Sequence, residues 1–163
     1  MKFQTRSFSV AKRAGLGAIL VRLSLPAILI VISGCVTPGD SLVGSEWRLV
    51  EFQSMDDAIG TVKPADASQF VMSLGPDGTV TMQLDCNRAR GTWSSQSAAD
   101  GNSGSFGFGP LAVTRAICMP PHLDERIARD AEYVRSYILR DGRLYLSLMA
   151  DGGIYVWEPA SDN

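Results

Sequence analysis

Hydrophobic and polar residues alternate along much of this chain with the two-residue period of half-buried strands. Trp47, Leu49 and Glu51 fall on one face of a segment whose other face carries Arg48, Val50 and Phe52. Phe70 to Leu74, the turn Gly75-Pro76-Asp77-Gly78, and Thr79 to Leu84 read as a hairpin, with Val80, Met82 and Leu84 on its covered face. A second hairpin runs from Tyr137–Leu139 through Asp141-Gly142 into Leu144–Leu148, and the turn Asp151-Gly152-Gly153 leads into a further strand, Ile154–Trp157. Gln96 to Ser105, rich in Ser, Ala, Gly and Asn, reads as a mobile loop. One segment changes period. From Pro121 to Tyr137 there is no glycine, and Leu123, Ile127, Ala131 and Val134 recur at helical spacing. Pro121 suits a first helical position. Asp124 and Glu125 follow in the first turn, where the helix dipole favours negative charge. Arg126, Arg129, Asp130, Glu132 and Arg135 read as its solvated face. The fold class is therefore α+β and mainly β: a curved antiparallel sheet or partial β-barrel with one amphipathic helix over about residues 121–137.

The amino terminus follows another rule. Lys2, Arg6, Lys12, Arg13 and Arg22 precede an uncharged run from Leu23 to Gly34, the positive flank and short apolar core of a secretory signal. The run is shorter than the roughly 20 apolar residues of a membrane span. Ile32-Ser33-Gly34-Cys35 resembles the lipobox of bacterial lipoproteins. The resemblance implies cleavage before Cys35 and lipid on its thiol, and several acyl chains give a stable membrane anchor. Val36, rather than Asp, after the cysteine points to an outer-membrane lipoprotein facing the periplasm. The expected organisation is a signal peptide over 1–34, a lipidated tether over 35–44, a domain over 45–159 and a tail over 160–163.

Composition sharpens this division. The 163 residues carry 15 Lys+Arg and 17 Asp+Glu, but the first 34 hold five of the basic residues and none of the acidic ones. The remainder has 10 basic against 17 acidic residues, a charge of −7. Such a domain is repelled by phosphate backbones and anionic head groups, so nucleic acid is not an expected partner and the membrane link is the lipid.

Two strings carry more specific information. One is Asp85-Cys86-Asn87-Arg88-Ala89-Arg90-Gly91-Thr92-Trp93; the other is Phe108-Gly109-Pro110-Leu111-Ala112-Val113-Thr114-Arg115-Ala116-Ile117-Cys118, followed by Pro120 and Glu125. In order and spacing they resemble the META domain family, over about Ser45 to Pro159. Asp85 stands where that family has glycine, at a turn that needs positive φ, and Ala116 stands where it has methionine. With Cys35 given to lipid, Cys86 and Cys118 remain in an oxidising compartment, and the simplest expectation is a disulfide between them. The alternative is a metal site built from Cys118, His122, Cys86 and Asp85, which lacks a convincing fourth ligand spacing. Asn87 and Gly91 read as turn formers, Trp93 as core, and His122 as an exposed residue beginning the helix. Thr114 belongs to the family motif, and Arg115 reads as a surface or capping cation, a partner for Asp85, or part of an anion site.

No nucleophile has an identifiable base, so catalysis is not expected, and neither is a cofactor or a resident metal. Gly39-Asp40-Ser41-Leu42 matches an esterase string, but the only histidine, His122, lacks the aspartate that such enzymes carry three residues before it. A hydrolase would require an active serine such as Ser41 or Ser103. The family resemblance implies association with heat shock, envelope stress and antibiotic tolerance without an established catalytic activity. The leading expectation is a lipid-anchored, non-catalytic envelope module that binds a partner protein or a small apolar ligand. The second is a hydrophobic-cargo carrier or pilot-like chaperone using a cleft in the barrel.

Overall fold

A computed structural model of the chain describes residues 41–160. The signal segment, Cys35, most of the tether and the last three residues lie outside the described residues. The strands are β1 (Glu46–Gln53), β2 (Thr61–Val62), β3 (Phe70–Leu74), β4 (Thr79–Leu84), β5 (Asn87–Ser97), β6 (Ser103–Phe108), β7 (Ala112–Val113), β8 (Val134–Arg140), β9 (Arg143–Leu148) and β10 (Ile154–Pro159). Among the described residues one α-helix, α1 (Leu123–Asp130), lies between β7 and β8.

Eight of the strands close on themselves. The order β1-β3-β4-β5-β6-β8-β9-β10 returns to β1 because β1 pairs with both β3 and β10, all antiparallel. The curved sheet or partial barrel expected from sequence is thus a complete barrel. Closure leaves no long unpaired edge among these strands. The short strands β2 and β7 add to the outer ends of β1 and β5. Alternation holds where it was cleanest: Val80, Met82 and Leu84 of β4 and Phe70, Met72 and Leu74 of β3 are all buried. They pack with Trp47, Leu49, Phe52, Trp93, Phe106, Tyr137, Leu144, Leu146, Tyr155 and Trp157 into one core. Trp93 stacks on Phe106 with centroids 5.8 Å apart, and Phe106 meets Phe108 edge-on at 5.0 Å. The barrel interior is filled by its own side chains.

Bulges explain where simple alternation fails. Leu49 pairs with Trp157 while Glu51 pairs with the next residue back, Val156, so β1 carries one extra residue there. The bulge shifts the inward face, and Phe52 rather than Glu51 joins Trp47 and Leu49 in the core. A similar step in β8, between Val134 and Ser136, puts Val134 and Tyr137 both inside.

The helix is shorter than the sequence predicts. It starts at Leu123, two residues after Pro121, behind His122 in a left-handed conformation (φ 56°). After Asp130 the chain makes one 3-10 turn, Ala131–Tyr133, and becomes β8 at Val134. Leu123, Ile127 and Ala131 are buried as the helical spacing requires. From Val134 onward pairing with β6 and β9 takes over, and the β-branched and aromatic residues of this stretch suit it. The expected mobile loop at 96–105 is likewise half strand: β5 reaches Ser97, β6 starts at Ser103, and Ser97 pairs with Gly104. The residues between them turn on Asp100, whose carboxylate accepts from the backbone N–H of Asn102 and Ser103. Leu42, placed in the tether on sequence, is fully buried in the core, so the packed domain takes in this residue ahead of Ser45.

The helix covers one end of the barrel. That end gathers the close of β1 and β4 and the start of β5, β8 and β10. Arg126 lies over the Phe52 ring at 5.0 Å, and the Tyr155 hydroxyl donates to Asp130 Oδ2 at 2.8 Å. Two charges expected to be simply solvated therefore fasten α1 to the barrel. Burial first, and then the Asp130 carboxylate, hold the Tyr155 phenol well above its ordinary pKa of 10.0. A raised acid pKa in the folded state gives stability that is complete below about pH 10 and is lost as pH rises beyond it. Tyr155→Phe is expected to cost about 1–2 kcal/mol in urea unfolding at pH 7. It should also remove part of the wild-type loss of stability between about pH 10 and pH 11.

Candidate functional site

The two motif strings meet beside the first turn of α1. The β4–β5 turn is made by Asp85 at φ 55°, so aspartate occupies the left-handed position at which the family has glycine. Cys86 follows and is joined to Cys118 by a disulfide, with Cα atoms 5.7 Å apart. The expected bridge is present and consumes both thiols of the alternative metal site. Among the described residues no group of three or more His, Cys, Asp or Glu could hold a metal ion. His122 is exposed and caps no backbone group with its side chain.

Asn87 is the hub. It is not a turn former but the first residue of β5, 3% exposed, with its side chain turned inward. Its Nδ2 donates to Asp124 Oδ2 at 2.9 Å and to the Ala116 carbonyl at 2.9 Å, and lies 3.2 Å from Cys118 Sγ. Its Oδ1 accepts from the Ala116 N–H at 2.7 Å and from Thr114 Oγ1 at 2.9 Å. One amide thus ties the strand to the 114–118 segment and to the helix. Thr114 completes the junction: its Oγ1 also accepts from the Arg88 N–H at 2.8 Å, and its own N–H donates to the Arg88 carbonyl at 2.9 Å.

Asp124 is the member that sequence reasoning missed. It is 3% exposed, and its Oδ1 has no hydrogen-bond partner. A signal existed, because Asp124, Ile127 and Ala131 stand at i, i+3 and i+7, which puts the carboxylate on the buried face of the helix.

The other motif residues are structural in different ways. Gly91 lies within β5, not in a turn, and a Cβ there would meet the Pro110 carbonyl oxygen at 2.5 Å and Leu111 Cδ2 at 2.6 Å. The glycine lets the Gly109-Pro110-Leu111 segment cross the strand. Gly91→Ala is expected to cost about 1–3 kcal/mol through overpacking, read as a lowered urea midpoint. Trp93 is core, and its Nε1 donates to the Gly75 carbonyl at 3.1 Å. Arg115 is an exposed cation and makes no ion pair with Asp85. Ser103 Oγ donates to Asp100 in the turn at the barrel end opposite α1, far along the strands from His122.

Beside the hub two large apolar side chains stand in solvent among polar neighbours. Ile117 is 97% exposed and Met119 78% exposed, on either side of buried Cys118. Beside them lies a small groove of about 110 Å³, lined by Phe70, Asp85, Met119, Pro121 and His122 among others. A wider, open cleft of about 470 Å³ separates the Gly109-Pro110-Leu111 segment from Ala128, Arg129 and Glu132.

Comparison with curated proteins gave no significant match. Among solved structures, the chain resembles a protein from Burkholderia xenovorans determined by NMR, with 19% identity, a TM-score of 0.57, and coverage of 74% of this chain and 85% of that one. A crystal structure of a DUF4847 family protein from Bacteroides vulgatus is more distant, at 13% identity and a TM-score of 0.49, covering 76% of this chain and 98% of that one. The first of these supports the barrel fold. Residues 40–160 match the META domain, which takes in both motif strings and every described strand and helix, and the chain belongs to the META domain family.

Proposed function

We propose that this protein is a lipid-anchored, non-catalytic module of the bacterial cell envelope that binds a partner protein, in a stress-related role, through the barrel end that carries α1 and the Ile117–Met119 loop. The observation that carries the reading is the contrast between inside and outside. Val80, Met82 and Leu84, the side chains that would line a cargo cleft, are packed in the core, whereas Ile117 and Met119 stand in solvent. Burying either exposed side chain against a partner contributes about 1.5–3 kcal/mol. Exposed Arg115 beside them offers a cation to an acidic group on that partner.

Position supports the same reading. The start of the fold is fastened at the other end of the barrel, where the Gly44 N–H donates to the Leu74 carbonyl and the Leu74 N–H donates to the Ser45 carbonyl. The Ile117–Met119 loop lies at the opposite end, beside α1 and the start of β5.

The test is crosslinking followed by affinity capture from intact cells. It compares the native protein, Cys35→Ala, and the double variant Ile117→Asp with Met119→Asp. The reading predicts that Cys35→Ala moves the protein out of the membrane fraction and that the double variant loses the captured protein while keeping its fraction. Recovery of the same protein by all three, from the same fraction, would contradict both the anchor and the surface.

A further inference from the structure

We propose that the Cys86–Cys118 bridge is a site of thiol–disulfide exchange, opened by an attacking thiolate at Cys86 with Cys118 as the leaving sulfur. Exchange needs access to one sulfur and a place for negative charge on the other. The two cysteines differ in both respects. Cys86 is an exposed residue in the tight β4–β5 turn, whereas Cys118 is 6% exposed. The Asn87 amide nitrogen lies 3.2 Å from Cys118 Sγ but 3.9 Å from Cys86 Sγ, so the polar amide sits closer to the sulfur that departs. The same cluster holds Asp124 Oδ1, a buried acceptor without a partner.

The steps balance. A thiolate RS⁻ bonds to Cys86 Sγ, the Cys86–Cys118 bond breaks, and its electron pair stays on Cys118 Sγ, which then takes a proton. A second thiolate attacks the R sulfur of the mixed disulfide and releases Cys86 as a thiolate. Two external thiols leave as one disulfide, and the protein is left with two thiols. The reactant class is a small monothiol or a dithiol protein. After opening, the segment bearing Ile117 and Met119 is still tied to β5 by the bonds of Asn87 to Ala116 and Thr114.

The test uses the full chain with Cys35→Ser, so that only the bridge cysteines remain. The folded protein is incubated with glutathione, or with a dithiol oxidoreductase whose second cysteine is replaced by serine. Samples are acid-quenched, alkylated and mapped by peptide mass spectrometry. At early times the mixed disulfide is expected on Cys86 in at least ~10-fold excess over Cys118, since access selects the sulfur attacked. The reagent that gives the adduct identifies which thiol source the site accepts. Equal adducts on both cysteines, an excess on Cys118, or no adduct from either reagent until urea unfolds the domain would overturn the proposal. A second measurement compares alkylation of free Cys86 in Cys118→Ala with free Cys118 in Cys86→Ala. Faster reaction at Cys86 supports the proposal, and equal rates in two folded variants contradict it.

Discussion

Asn87→Ala is expected to lower stability by about 3–4 kcal/mol, measured as the shift in urea unfolding free energy. The effect is large because one buried side chain makes several hydrogen bonds at once, one of them to a buried carboxylate. Its removal takes the amide from Asp124 Oδ2, whose carboxylate already has an unpartnered oxygen, and leaves the Ala116 N–H and carbonyl without their partner. Each buried polar group left unsatisfied costs about 1–3 kcal/mol. Asn87→Asp is the sharper control, since it keeps the size but turns an acceptor toward Asp124; it is expected to be at least as damaging as alanine. Loss of less than about 1 kcal/mol in both variants would mean that the cluster is not what joins strand, loop and helix.

Replacing both Cys86 and Cys118 with serine is expected to cost a similar amount, about 3–4 kcal/mol, by releasing a closed loop of about 33 residues in the unfolded chain. The bridged residues are 32 apart in sequence. The same loss should appear when the wild type is unfolded in the presence of a reductant. Because Asn87 and Cys118 act on the same segment, adding Asn87→Ala to the serine pair should give a loss different from the sum of the two. Strict additivity would indicate that the amide and the bridge hold independent parts of the fold.

What the sequence makes legible is local. The β3–β4 hairpin can be read because its turn chemistry is written in adjacent residues: Asp77 Oδ1 accepts from the Thr79 N–H, and Gly78 takes φ 78°. The β8–β9 hairpin can be read for the same reason, with Asp141 and Gly142 both at positive φ. The rest depends on partners distant in sequence. Barrel closure rests on Trp47 facing Pro159 and Phe52 facing Tyr155, and no local pattern announces such pairs. The bulge after Leu49 inverts the face of Phe52 for the same reason. Val134 and Tyr137 fit a helical period over a short window, yet their strand neighbours decide their conformation. At the site, the two cysteines, Thr114 and Trp93 were recognisable by motif. Asn87 and Gly91 were recognisable as important, but their reasons, a buried hub and a close chain crossing, appear only when the 108–118 segment is laid across β5.

The central claim is that the helix-bearing end of the barrel is the binding surface. A photo-crosslinking amino acid placed at Ile117 in intact cells tests it most directly, with the same probe at Asp141, in the exposed turn at the opposite end, as the comparison. The account predicts a discrete protein adduct from position 117 and none from position 141. An adduct from 141 with none from 117 would contradict it.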